Sequence, residues 1–205
     1  MKYSKRTLSI IFVTFLLVFE MFAYTATAPR NQDQYFQLYV LGANESVGGY
    51  YPHNSTDLFI GDTARWHVGV TNSMGLVQLV EVRIKLGNST IAGPDIAGTN
   101  SSVAQQVDSS YRFLRENETW EFPLFWKVTN ASINGNTTTI TQLQMGNRTV
   151  SVDISAANAS KFRMIIELWT LDPSSDSFQY GWMAGPNHHA AWLQVWFNVT
   201  TTLGS

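Results

Sequence analysis

Two hydrophobic periodicities divide the chain. From Leu8 to Tyr24 the residues are almost continuously apolar (Leu8-Ser-Ile-Ile-Phe-Val-Thr-Phe-Leu-Leu-Val-Phe-Glu-Met-Phe-Ala-Tyr24), and Lys2, Lys5 and Arg6 precede them. Beyond Tyr35 the pattern changes to short runs in which apolar and polar residues alternate, separated by clusters of Gly, Asn, Asp, Ser and Pro. A period of two puts successive side chains on opposite faces of a strand, so such runs read as half-buried strands. Strands are predicted over Tyr35–Leu41, Ala64–Thr71, Leu76–Leu86, Thr119–Val128, Arg148–Ile154, Phe162–Leu171 and Ala191–Thr200. Shorter candidates are Leu58–Ile60, Tyr111–Arg115 and Ile140–Met145, and no long amphipathic helix is expected after the N-terminal segment. Many short strands without helices predict an all-β fold, an immunoglobulin-like antiparallel β-sandwich over residues 33–201, preceded by one hydrophobic helix within residues 1–28.

The N-terminal order, basic residues then an apolar run, suits either a cleaved signal peptide or an uncleaved signal-anchor transmembrane helix. As a helix the 17-residue run would reach about 25 Å, just short of a hydrocarbon core of about 30 Å. Ala26-Thr-Ala28 resembles a small-residue cleavage site, but Pro29 follows it directly. Both readings put the basic end inside the cell and the remainder outside.

Strand faces follow from alternation. Trp66, Val68 and Val70 are expected in the core, as are Trp120, Phe122, Leu124 and Trp126, and Phe162, Met164, Ile166 and Leu168. In the last strand Leu193, Val195 and Phe197 would face inward if Asn198 faces out. Trp192 and Trp196 would then share the outer face with Trp169, giving a candidate interaction strip of Trp169, Trp192 and Trp196, unless the loop Asp172–Pro186 folds over it. Asp95–Ser110 and Asn130–Thr139 read as polar loops.

Composition adds the compartment. Ten Asn-x-Ser/Thr sequons occur, at Asn44, Asn54, Asn88, Asn100, Asn117, Asn130, Asn136, Asn147, Asn158 and Asn198. The chain has 14 Asn, and Ser plus Thr fill 38 of 205 positions, so chance would supply roughly two or three such acceptors. The excess predicts an exported N-glycosylated protein. Only 14% of residues are charged while 13% are aromatic, a balance that attached sugars would keep soluble. A net charge of −2 gives no basic field for nucleic acid. Cysteine is absent, which excludes thiol catalysis, zinc-thiolate centres and iron–sulfur clusters. Exported eukaryotic domains usually carry disulfides, so many sequons without cysteine fit an archaeal surface protein better.

The remaining candidates for chemistry are sparse. His188 and His189, with His67 and His53, could in principle gather copper or zinc, but adjacent residues on a strand point apart. Asp172-Pro-Ser-Ser-Asp176 lacks the glycine and glutamate of a calcium loop, and reads as a turn, as does Gly61-Asp62. No G-x-S-x-G, phosphate loop or H-E-x-x-H occurs. No catalytic residue, metal or cofactor is expected.

Several strings taken in order are similar to a known family: Tyr35-Phe-Gln-Leu-Tyr-Val-Leu-Gly42, Leu58-Phe-Ile-Gly-Asp62, Trp66-His-Val-Gly-Val-Thr-Asn72, Glu118-Thr-Trp-Glu-Phe-Pro123, Phe162-Arg-Met-Ile-Ile-Glu-Leu-Trp169 and Trp192-Leu-Gln-Val-Trp-Phe-Asn-Val199. Together they resemble the C-terminal extracellular region of the archaeal family called domain of unknown function 1616. The resemblance implies an immunoglobulin-like sandwich outside an archaeal cell and carries over no catalytic residue. Members of that family often have several membrane helices before this region, whereas one apolar segment is present here. The expectation is a surface glycoprotein at the extracellular face of the membrane or envelope, with a structural, adhesive or assembly role and other surface proteins or its own copies as partners. A filament built by strand donation from Thr25–Tyr35 is one form of such assembly. An extracytoplasmic carbohydrate- or solute-binding module is the alternative.

Overall fold

A computed structural model describes residues 5–27, 34–95 and 99–200. The chain divides into two compact units, Met1–Asp33 and Gln34–Ser205. The first contains helix α1, Lys5–Thr27. Its residues from Ile11 to Tyr24 are solvent-exposed. Among the described residues no helix is long and apolar enough to cross a membrane. Ala28 and Pro29 of the small-residue motif lie outside the described residues, as does most of the segment between Thr25 and Tyr35.

The second unit is built from strands: β1 Tyr35–Leu41, β2 Asp57–Phe59, β3 Ala64–Ser73, β4 Gln78–Asn88, β5 Gln105–Leu114, β6 Thr119–Asn134, β7 Thr137–Met145, β8 Arg148–Ala157, β9 Phe162–Asp172, β10 Ser177–Tyr180, β11 Trp182–Ala184, β12 Asn187–His189 and β13 Trp192–Thr200. One sheet has five strands in the order β1-β3-β6-β7-β8. The other has six, in the order β2-β13-β9-β4-β5 with β10 added alongside β9. Strand pairs are antiparallel except β2 with β13, which run parallel.

The inward faces are those that alternation predicts. Trp66, Val68 and Val70 are fully buried, as are Phe162, Met164, Ile166 and Leu168, while Phe122, Leu193 and Val195 pack at the margin of the same core. An aromatic chain spans the two layers. Trp66 meets Trp126 edge-on at 5.2 Å between ring centroids, and Trp126 meets Phe197 of the opposite sheet at 5.0 Å. Such pairs contribute about 0.5–1.5 kcal/mol each beyond the area they bury. The amphipathic rings also tie in loops: the Trp66 indole donates to the Tyr50 carbonyl at 2.6 Å, and the Tyr51 hydroxyl donates to the Trp196 carbonyl at 2.8 Å.

Without disulfides, polar side chains make the long-range links. Asn72 is fully buried, its amide nitrogen donating to the carbonyls of Leu76, Leu114 and Arg115 while its Oδ1 accepts from the Met74 amide. One side chain therefore fastens the β3–β4 connection to the end of β5 and satisfies backbone groups that burial would otherwise leave unpaired.

Three predicted loops contain strand: Asp172–Pro186 holds β10 and β11, and the other two are Asn130–Thr139 and Asp95–Ser110. The stretch Asn130–Thr139 is the tip of the β6–β7 hairpin, closed between Asn134 and Thr137 around Gly135 at φ 59°. Within Asp95–Ser110, strand β5 already begins at Gln105. It is an edge strand with mostly polar, half-exposed side chains, so burial imposes little alternation on it.

Candidate functional site

The sequon asparagines occupy turns and strand ends for the most part. Asn44, Asn54, Asn100, Asn117, Asn130, Asn136, Asn147 and Asn158 are exposed. Asn54, Asn117 and Asn158 adopt φ of 52°, 58° and 54°, the left-handed conformation that Asn tolerates better than most side chains. Asn198 is half-buried on β13, where its amide donates to Asp57 Oδ1 at 2.7 Å and its Oδ1 accepts from the Lys161 amide at 3.0 Å. Asn88 differs from all of these: it is buried and hydrogen-bonded through both ends of its side chain.

The outer face of the six-stranded sheet is where the aromatic strip was expected. Register places Trp192 opposite Glu167 and Trp196 opposite Arg163, so Trp169, Trp192 and Trp196 do share that face. They do not form an open strip, because only Trp196 is substantially exposed, at 37%. Part of the cover comes from the connection between β4 and β5, on the N-terminal side of Gln105, rather than from Asp172–Pro186 alone. Ser102 lies over Glu167, the Ile91 carbonyl accepts from the Arg163 guanidinium, and Gly93 abuts Arg163 and Trp192. From the other side Tyr180 of β10 meets Trp169 edge-on at 5.8 Å, while Trp182 turns inward against Phe36.

Beneath this cover lies a charged network that alternation alone does not reveal. Glu167 is fully buried and forms an ion pair with Lys85 Nζ at 2.8 Å. It also accepts from the Ser102 amide at 2.7 Å and the Trp169 indole at 3.1 Å. Lys85 donates in turn to the Ser102 carbonyl at 2.6 Å. The Arg83 guanidinium stacks 3.6 Å from the Trp169 ring centre, and that of Arg163 lies 4.9 Å from the Trp196 ring centre. Such stacking uses the weakly hydrated guanidinium plane, and it grows stronger where water is excluded. Burial pushes the Tyr180 hydroxyl far above its usual range, and the nearby negative charges of Glu167 and Asp95 add to the shift.

The histidines are dispersed. His53 lies 4.0 Å from Asp62, whereas His188 and His189 sit on β12 opposite Met183 and Trp182. His67 alone joins a group of metal-capable side chains among the described residues, with Glu45 and Glu121. The two glutamates were not singled out from the sequence, where they stand 22 residues before and 54 after His67 with no spacing signal. Asp172 closes a turn, accepting from the Ser174 amide and from the hydroxyls of Ser174 and Ser175. These bonds hold its carboxyl below the usual range.

Searched against protein-family models, the chain matches none. It likewise matches no curated protein. Among solved structures it is similar to the CARDB domain of a Pyrococcus furiosus protein in complex with di-metal ions, at 9% identity and TM-score 0.40, over 82% of this chain and 90% of that one. It is also similar to a β-glucosidase from Erythrobacter marinus, at 9% identity and TM-score 0.39, and to one from Listeria innocua, at 10% identity and TM-score 0.36. This chain spans only 16% and 17% of those two enzyme chains. Likenesses at this level add nothing to the sandwich derived above from strand pairing.

Proposed function

We propose that this protein is a non-catalytic archaeal cell-surface glycoprotein whose immunoglobulin-like sandwich serves adhesion or assembly, with α1 acting as its signal or membrane anchor. The observation that carries this reading is the placement of the sequons. Eight of the ten present an exposed asparagine (Asn44, Asn54, Asn100, Asn117, Asn130, Asn136, Asn147 and Asn158), as attachment of a bulky sugar requires. A rigid sandwich with sugars on its turns would make contacts through whatever faces the sugars leave open. Its partners would be other surface proteins or further copies of itself. Kinship with the domain of unknown function 1616 family belongs to the same proposal.

The test is mass spectrometry of intact protein and its peptides from native membranes. Hexose-bearing Asn peptides support the reading, and unmodified asparagines throughout overturn it. A peptide starting at Met1 or Lys2 would establish an anchored form, and one starting between Thr25 and Arg30 a released form.

One observation favours the alternative of a solute-binding module. An open cleft of about 520 Å³ is lined by Thr56, Ser89, Lys161, Trp196, Phe197 and Asn198. It combines an aromatic face with polar groups, the arrangement that small-molecule sites use. A ligand seated there would raise the melting temperature, and the rise would continue with the logarithm of its concentration above Kd.

A further inference from the structure

On the outer face of the five-stranded sheet, two carboxylates converge on one imidazole nitrogen. His67 Nδ1 lies 3.6 Å from Glu121 Oε1 and 3.9 Å from Glu45 Oε1. One ligand atom from each of the three residues falls within 4.8 Å of the others. The elements explain the convergence. His67 and Gly69 of β3 project outward, between core residues Trp66, Val68 and Val70. Gly69 pairs with Glu121 of β6 on one side and with Tyr39 of β1 on the other. His67 and Glu121 are therefore diagonal neighbours on one face, within reach of long side chains. Glu45 arrives from the β1–β2 connection, in a turn closed by the Glu45 amide donating to Gly42 and the Gly42 amide donating to Ser46.

The Tyr39 ring lies across Gly69, in space that a Cβ there would fill, and its hydroxyl donates to Glu121 Oε2 at 2.9 Å. That bond occupies one oxygen of Glu121 and leaves Oε1 aimed at His67. Among the described residues neither Glu45 nor Glu121 has a Lys or Arg ion-pair partner. A single proton on Nδ1 can be given to only one of the two carboxylates. A divalent ion between the three atoms would bond to all of them.

We propose that Glu45, His67 and Glu121 bind a divalent transition-metal ion, which fastens the β1–β2 loop to the face of the five-stranded sheet. Zinc bonds to imidazole nitrogen and carboxylate oxygen at about 2.0–2.2 Å, which separates ligand atoms by about 3.4 Å in a tetrahedral site. The two separations from His67, 3.6 and 3.9 Å, need a contraction of a few tenths of an ångström. The two carboxylate oxygens, within 4.8 Å of each other, need up to about 1.4 Å, which movement of the exposed Glu45 side chain can supply. The imidazole selects zinc, nickel or copper over calcium and magnesium, which prefer all-oxygen sites. Tyr39 is a positioning residue, orienting a ligand carboxylate as outer-shell partners do. Glu45 is the middle residue of the Asn44 sequon, but ligation uses its carboxylate and needs no sugar on Asn44, so the metal test is read on protein with or without glycan.

Zinc titration by calorimetry of the full chain, purified in detergent without a polyhistidine tag, decides the matter. The expected result is one zinc per chain with a raised melting temperature, and no response to magnesium at equal concentration. His67→Ala and Glu45→Gln should each weaken zinc binding at least tenfold, while His188→Ala plus His189→Ala leaves it unchanged. Glu45 lies on an exposed loop, so its variant reports on ligation even if His67→Ala fails to fold. Absence of zinc binding, or binding that survives Glu45→Gln, overturns the proposal.

Discussion

Asn88 Nδ2 donates a 2.7 Å hydrogen bond to the Ser155 carbonyl, joining the end of β4 in one sheet to β8 in the other. Its Oδ1 accepts from the amides of Thr90 and Ile91 and from the Thr90 hydroxyl, each at 2.9 Å. The nitrogen that would carry a sugar is thus enclosed, with the residue 8% exposed. In folded protein the peptide containing Asn88 should be unmodified, and peptide mapping checks this directly. Replacing Asn88 by Ala strands several partners at once. It should lower stability by about 1–3 kcal/mol, the cost of leaving buried polar groups unsatisfied, measured by urea unfolding.

The Lys85–Glu167 pair sets up an asymmetric expectation. Removing one partner leaves a buried charge without compensation and should cost about 3–5 kcal/mol. Lys85→Met alone should therefore lower the unfolding midpoint strongly. Lys85→Met combined with Glu167→Leu should recover much of that loss, although the Ser102 amide then lacks its acceptor. A double-mutant cycle by denaturant unfolding measures the coupling.

Gly69→Ala would place a Cβ 2.0 Å from Tyr39 Cζ, and the ring must move aside. Alanine in a strand would otherwise be favourable by about 0.5–1 kcal/mol, because glycine loses more backbone freedom on folding. The expected outcome is destabilisation in the native background and stabilisation when Tyr39→Ala is also present. That reversal of sign is read from thermal unfolding of the four proteins in the cycle.

Asp95 should titrate anomalously. The Thr99 hydroxyl, with further bonds from Asn100 and the Thr99 amide, lowers its carboxyl from 3.8 to about 2. Because the folded value is depressed, its contribution to stability is present above about 3.8 and is lost as the pH falls toward 2. Thr99→Val should move the midpoint back toward 3.8, seen as a shift in the carboxyl carbon resonance during an acid titration by NMR.

The core was legible because burial on one face enforces alternation. Trp66, Val68 and Val70 could hardly be placed otherwise, and β1 and β9 fall where their apolar runs do. Where both faces meet solvent, as at the β6–β7 tip, no such pattern exists, and a strand resembles a loop. The cover over the outer face of β9 is hard to read for the opposite reason. Arg163 and Glu167 look like members of a solvated face, but the β4–β5 connection covers them, and its sequence has no periodicity to announce that it does so. The grouping of Glu45, His67 and Glu121 depends on strand register and on one turn, neither of which residue spacing encodes.

The parallel pairing of β2 with β13 sets an order of events during biogenesis. Asp57 meets Asn198 across that pair, so the six-stranded sheet stays incomplete until Asn198 has been made. In the proposed glycoprotein, Asn88 would be as open to a glycosyltransferase throughout that interval as any other sequon. Sugar attached there would block the contact with Ser155. In a glycosylated chain, as proposed above, the yield of native protein would therefore depend on a race between closure of the sandwich and modification of one asparagine.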